Sequence, residues 1–139
     1  MLKTGKEHIE SLNDGRTVYI GNEKVKNVTT HPAFRNAAKT VASLYDIKHD
    51  PEFRDILSFE EDGERYSMWF LRAKNRDDLR KRSAAHKKIA EVSSGLFGRS
   101  PDHVASFVTG MSTCPSVFDS ESYKFGDNLL AYYQHMRQN

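Results

Sequence analysis

The chain has 139 residues, 37% of them hydrophobic and 29% charged, with 21 basic groups against 19 acidic ones and a net charge of +2. That length matches one ordinary domain able to bury a core without disulfide staples, and the composition is too apolar for a disordered tail. The near-balanced charge makes no general case for nucleic acid, and the longest apolar run, 129–133, is far too short to cross a bilayer. The single cysteine, Cys114, excludes both an intrachain disulfide and a Cys-rich zinc site.

The first residues hold no apolar stretch resembling a signal peptide, so the expectation is a cytoplasmic protein without a membrane anchor. Thr4 and Glu7 have the spacing of a capping box, which predicts a short helix with Ile9 and Leu12 on its apolar edge and Gly15 to end it. The β-branched and aromatic run Thr17-Val18-Tyr19-Ile20, then Gly21-Asn22, then Glu23-Lys24-Val25, predicts a small hairpin. A clear helical stripe follows in Phe34, Ala37, Ala38, Val41, Leu44 and Tyr45. Thr30 is the expected cap, Pro32 falls in the first turn, and the end is expected near His49 because Pro51 disfavours helix before it.

An acidic stretch then contains the turn signal Asp62-Gly63. Tyr66, Met68 and Phe70 alternate with Arg65, Ser67 and Trp69, predicting a second hairpin whose later strand is covered on both faces. A long helix is predicted from Asn75, with Asp77 and Asp78 at the positive end of its dipole and Leu79, Ala85, Ile89, Val92 and Leu96 along it. After a break at 95–98, a shorter helix starts at Ser100-Pro101, carries Val104, Phe107, Val108 and Met111, and ends at Cys114-Pro115. A last helix carries Phe125, Leu129, Leu130, Tyr133 and Met136. The chain ends in or just after that amphipathic helix, an odd place for a natural protein to end. These elements predict a mainly α fold with small β hairpins, read as one domain over 1–139.

The stretch Gly98-Arg99-Ser100-Pro101-Asp102-His103 is the most informative chemically. Plain capping accounts for Ser100 as N-cap, Pro101 at the first helical position and Asp102 at the dipole, and it is the simpler reading. It leaves Arg99 and His103 unexplained. A guanidinium beside a helix N-terminus is electrostatically misplaced unless an anion joins it, so the alternative is a site for a modest carboxylate or phenolate. The dipole favours a neutral His103 able to make a single hydrogen bond.

The remaining histidines show no metal-ligand spacing, so no metal site is expected, and no phosphate loop or catalytic triad can be read. Arg76, Arg80, Lys81, Arg82, Lys87 and Lys88 make the long helix basic, which reads as a solvated face rather than a nucleic-acid patch. Cys114 reads as a buried small residue rather than a nucleophile.

Several motifs in order resemble the 4-hydroxyphenylacetate 3-hydroxylase family. They are Thr4-Gly5-Lys6-Glu7 with 11–16, Thr30-His31-Pro32-Ala33-Phe34-Arg35, Leu44-Tyr45-Asp46 with His49-Asp50-Pro51, and Gly98-Arg99-Ser100-Pro101-Asp102. The resemblance covers essentially the whole chain. It implies the N-terminal helical domain of an acyl-CoA-dehydrogenase-like fold, taken from a chain several times longer.

It further implies the oxygenase component of a two-component monooxygenase. A separate flavin reductase supplies reduced FAD, and one atom of O2 goes onto the ortho position of a phenol, while the protein orients the substrate and excludes water. In the family, the Arg of the GRSPD motif and the residue four places on touch substrate. Arg99, Ser100, Pro101, Asp102 and His103 are therefore the expected substrate-binding residues, with no catalytic residue or flavin ligand assigned within the chain.

The family's hydroxylases carry Tyr where this sequence has His103, which leaves chlorophenols, nitrophenols and other hydroxyaryl compounds open as substrates. A homotetramer is implied for the full-length enzyme, and the chain alone is expected to be inactive. The related 4-hydroxybutyryl-CoA dehydratases need several thiolates for an iron–sulfur cluster, and one cysteine cannot supply them.

Two other readings compete. One is a stand-alone helical binding module without flavin chemistry, and the other is a nucleic-acid binder built on the basic helix. A piece of a larger chain is expected to expose apolar surface, with Trp69, Tyr132, Tyr133 and Met136 as the candidates.

Overall fold

The computed structural model describes residues 2–95 and 103–138. The first element, α1 (Gly5–Ser11), opens with the expected capping box: Thr4 Oγ1 accepts from the Glu7 N–H, and Glu7 Oε2 accepts from the Thr4 N–H at 2.7 Å. The helix ends at Ser11 with Leu12 as C-cap, so Gly15 does not terminate it. Gly15 sits at φ +81° in the loop beyond. Strands β1 (Val18–Ile20) and β2 (Glu23–Val25) form the first hairpin, with Val18 opposite Val25 and Ile20 opposite Glu23.

Helix α2 (Arg35–Asp46) begins later than expected. Its N-cap is Phe34, without a side-chain hydrogen bond, and Thr30 and Pro32 lie in the preceding turns. Ala38, Ala42 and Leu44 form its buried side, and a 3-10 turn, Ile47–His49, carries it to the expected end. The four-residue helix α3 (Arg54–Leu57) has no counterpart in the sequence reading, being too short to show a period.

Strands β3 (Ser58–Glu61) and β4 (Glu64–Ser67) pair antiparallel, with Phe59 opposite Tyr66. Asp62 (φ 54°) and Gly63 (φ 76°) both lie in the left-handed region, as the two-residue turn requires. The second strand is shorter than predicted. Met68–Phe70 is a 3-10 turn, and the four residues 66–69 are buried in succession because the chain dives between helices there.

Helix α4 (Arg76–Val92) starts where predicted: Asn75 Oδ1 accepts from the Asp78 N–H, and Asp78 Oδ2 accepts from the Lys74 N–H. Helix α5 (His103–Met111), a 3-10 turn (Pro115–Phe118) and α6 (Phe125–Gln138) complete the order. The architecture is thus mainly helical, with two separate two-stranded hairpins.

The core joins Leu44 of α2, Leu57 of α3, Met68 and Trp69, Ala85 and Ile89 of α4, and Ala105 of α5. The irregular segment 69–71 runs through this core, and its carbonyls need partners. Arg82 of α4 donates to Trp69 O at 2.7 Å and Leu71 O at 3.0 Å. Thr109 of α5 also donates to Trp69 O, and Tyr133 of α6 donates to Phe70 O at 2.7 Å. Three helices therefore clamp one strand-to-helix connection.

Several sequence expectations are corrected here. Arg82 is not on a solvated face, and neither is Lys88, which lies over the Phe53 ring at 4.0 Å, although Arg80, Lys81 and Lys87 are exposed and pair with Asp77, Asp78 and Glu91. Leu79 and Val92 are exposed despite their place on the predicted stripe, as are Val104, Phe107, Met111 and Phe125. Trp69 and Tyr133, expected at the surface, are buried, whereas Tyr132 is exposed as expected and Met136 is half-buried against the core. Cys114 is exposed rather than buried. No described helix is long and apolar enough to cross a membrane.

Candidate functional site

Of the residues predicted to bind substrate, Arg99, Ser100, Pro101 and Asp102 lie outside the described residues, as does Leu96 of the predicted long helix. His103 is the first residue of α5 and is exposed. Its ring meets Phe107, one turn on, edge to face at 4.7 Å between centroids. The next two residues, Val104 and Ala105, line a cavity of about 370 Å³. His103 therefore directly precedes two residues of the cavity wall.

Six further parts of the chain complete that wall. Leu2 and Lys3 come from the N-terminus, Val41, Leu44 and Tyr45 from α2, and Lys48 from the 3-10 turn after it. Ser67, Trp69 and Phe70 come from β4 and the following turn, Ile89 from α4, and Tyr132, His135, Met136 and Arg137 from α6. A ligand-sized space walled mainly by apolar and aromatic groups, with a few polar ones, is the usual form of a small-molecule site. Lys3, Lys48, His135 and Arg137 are basic, and no Asp or Glu is among the described lining residues.

Three of the polar liners are more than nine-tenths buried: Arg137 at 5%, Lys48 at 7% and Ser67 at 8% exposure. Burial alone would pull the Arg137 guanidinium down. The Glu61 carboxylate at 2.6 Å, with Tyr66 and Tyr133, outweighs it and holds the group above its ordinary range, fully charged. The guanidinium lies over the Tyr66 ring at 3.7 Å and donates to Tyr133 Oη at 3.4 Å. Its Nε has no hydrogen-bond partner, and neither does Ser67 Oγ.

Lys48 Nζ sits over Tyr45 at 4.9 Å and Trp69 at 5.6 Å. Burial pushes the Tyr45 and Tyr133 hydroxyls up, so both are neutral phenols near pH 7. Among the described residues, no group of three His, Cys, Asp or Glu could hold a metal.

Sequence reasoning missed Lys48, Ser67 and Arg137. Lys48 and Ser67 sit where a helix and a strand turn into 3-10 structure, which no period reveals. Arg137 could have been found, since it follows Tyr133 by four residues on the buried stripe of α6.

Residues 4–139 match the family model described as 4-hydroxyphenylacetate 3-hydroxylase N terminal. The oxygenase component of 4-hydroxyphenylacetate 3-monooxygenase from Thermus thermophilus is 38% identical over 138 residues, covering 99% of this chain and 28% of that protein. The FADH(2)-dependent monooxygenase TftD of Burkholderia cepacia is 42% identical over 124 residues, covering 87% of this chain and 24% of that protein. A crystal structure of a 4-hydroxyphenylacetate 3-monooxygenase oxygenase component, complexed with FAD and 4-hydroxyphenylacetate, superposes with a TM-score of 0.90 at 38% identity. The match covers 98% of this chain and 28% of that one. The chain thus spans about a quarter of the length of the relatives it matches.

Proposed function

The chain belongs to the 4-hydroxyphenylacetate 3-hydroxylase family, and we propose that it forms the substrate-side domain of an FAD-dependent aromatic hydroxylase. In this reading residues 1–139 are the N-terminal helical domain of a longer, acyl-CoA-dehydrogenase-like chain that is a cytoplasmic homotetramer. Reduced FAD, delivered by a separate flavin reductase, supplies with O2 the oxygen atom placed ortho to the hydroxyl of a phenol. The observation that carries the reading is the unbroken match over residues 4–139, supported by relatives whose names are those of aromatic monooxygenases.

The residues described here do not by themselves fit a flavin. A cavity of about 370 Å³ is the size for a one-ring ligand, and FAD, with three fused rings and an adenosine diphosphate arm, needs far more. The flavin's contacts are assigned to polypeptide beyond this chain, and no chemical step is routed through the residues here. Their proposed work is binding and orientation. Arg99 pairs with an anionic oxygen of the substrate, Ser100, Pro101 and Asp102 complete the expected binding segment, and His103 offers one ring nitrogen to the phenol or a carboxylate.

The test is product formation by the longest natural chain that contains these residues, with a flavin reductase, FAD and a panel of phenols including 4-hydroxyphenylacetate and chlorophenols. A catechol product is expected from at least one phenol, with Arg99→Ala raising its apparent KM by about tenfold or more. The 139 residues alone are expected to give none. If no phenol is hydroxylated, the stand-alone binding module takes this reading's place.

A further inference from the structure

His103 is exposed, so burial of its own side chain does not fix its place. Its place follows from the helix that carries it, and hydrogen bonds tie α5 to the irregular segment 69–71 at two levels. In the second half of the helix, Thr109 donates to Trp69 O at 3.1 Å. Nearer its start, Ser106 Oγ accepts from Arg82 Nη2 at 2.9 Å, while Arg82 Nη1 donates to Trp69 O at 2.7 Å and to Leu71 O at 3.0 Å. Ser106 follows His103 by three residues, about 4.5 Å along the helix axis.

A guanidinium is planar and its donors point in fixed directions, so acceptors on two sides of it are held at a set separation. A turn of helix is stiff, and what holds Ser106 holds His103 with it. We infer that Arg82 is a positioning residue for the substrate: through Ser106 it sets the first turn of α5, and with it the His103 ring, relative to the segment 69–71. The inference rests on the hydroxylase reading, in which His103 meets the phenol or its carboxylate. Arg82 acts at one remove, since these bonds engage both of its Nη atoms with protein acceptors. Small displacements of an orienting group are costly, and here the loss is bounded by the one hydrogen bond that His103 makes, about tenfold.

The experiment uses the longest natural chain that contains these residues, with a flavin reductase, FAD and whichever phenol of the panel it hydroxylates. Arg82→Lys keeps the charge but cannot reach both sides at once, and it is expected to raise the apparent KM about tenfold. Partial unfolding would act differently: it removes active molecules and lowers the apparent kcat, leaving the KM of those that remain. Gly5→Ala, which crowds α1 against α2 away from α5, is the control for that effect and is expected to leave KM unchanged. If Arg82→Lys does not fold, Ser106→Ala serves instead, because it cuts only the link to α5 and spares the bonds to the two carbonyls.

The route through His103 is read from a double-variant cycle. His103→Ala is expected to raise KM by itself, and Arg82→Lys added to it is expected to raise KM much less than it does alone. An unchanged KM in Arg82→Lys overturns the inference while phenol turnover leaves the hydroxylase reading standing. Independent, multiplying effects of Arg82→Lys and His103→Ala overturn it as well, as does a KM rise in Gly5→Ala equal to that in Arg82→Lys. If no phenol is hydroxylated, the hydroxylase reading falls and takes the inference with it, an outcome distinct from the other three.

Discussion

The backbone N–H of Gly5 donates to Asp46 Oδ1 at 2.7 Å, across 41 residues of sequence. This bond joins the first turn of α1 to the last turn of α2, and it forms because Gly5 has no side chain. A Cβ there would lie 2.4 Å from Asp46 Oδ2 and 2.6 Å from the Ala42 carbonyl oxygen. Both helices must then separate or Asp46 must swing away, losing the bond. Gly5→Ala is expected to destabilise the fold by about 1–3 kcal/mol in urea denaturation. Asp46→Ala relieves half of the clash, so the double variant is expected to cost less than the sum of the two singles. Strict additivity would mean the two residues do not act together.

The Gly5–Asp46 bond also illustrates what the sequence could and could not tell. Thr4, Glu7, Asn75, Asp62 and Gly63 act on neighbours within four residues, and the capping box, the α4 start and the second hairpin turn were legible from them. Partners tens of residues apart were not. Gly5 reads as an ordinary helix residue until Asp46 is beside it, and Arg82 reads as one more surface cation until three acceptors surround it. The same holds for the site. The GRSPD segment stood out by local chemistry, whereas Ser67 and Arg137, 70 positions apart, meet only through the packing of α6 on β4.

Arg82 is the most exacting of these distant contacts. Its guanidinium reaches Trp69 O, Leu71 O and Ser106 Oγ at 2.7–3.0 Å, tying α4 to α5 through the connection between β4 and α4. Lysine keeps the charge but cannot span three acceptors in one plane. Arg82→Lys is expected to lose about 2–3 kcal/mol in chemical denaturation. It is also expected to speed amide hydrogen exchange in α5 before the rest of the fold. A variant as stable as wild type would make these three bonds energetically idle.

His8 gives the fold a pH dependence with a definite sign. Its ring stacks on Tyr45 at 4.8 Å, and burial, helped by Lys3, lowers its pKa from 6.5. The unfolded chain therefore takes up this proton before the native one does. The contribution of His8 is intact above pH 6.5 and is lost as pH falls through the depressed native value. His8→Phe keeps a stacked ring and has nothing to protonate. Between pH 7.5 and 5.5 wild type is expected to lose more Tm than His8→Phe; equal losses would assign the acid sensitivity to other groups.

The Arg137–Glu61 pair tests whether the cavity wall is held by charge or by packing. The Arg137 side chain is 4% exposed, and the Glu61 side chain that reaches it from the second hairpin is 32% exposed. Removing the carboxylate leaves a desolvated guanidinium that keeps the Tyr66 and Tyr133 side chains as neighbours but no opposite charge among its described contacts. Glu61→Ala is therefore expected to cost about 3 kcal/mol. Adding Arg137→Met to it is expected to recover a large part of that loss, since an apolar side chain of similar length carries no charge to desolvate. Recovery of stability in the double variant would show that the unpaired buried charge, not lost packing, is what Glu61→Ala costs the fold. If the double variant instead stays as unstable as Glu61→Ala, packing of Arg137 on Tyr66 and Tyr133 is what the wall depends on, and the ion pair only neutralises it.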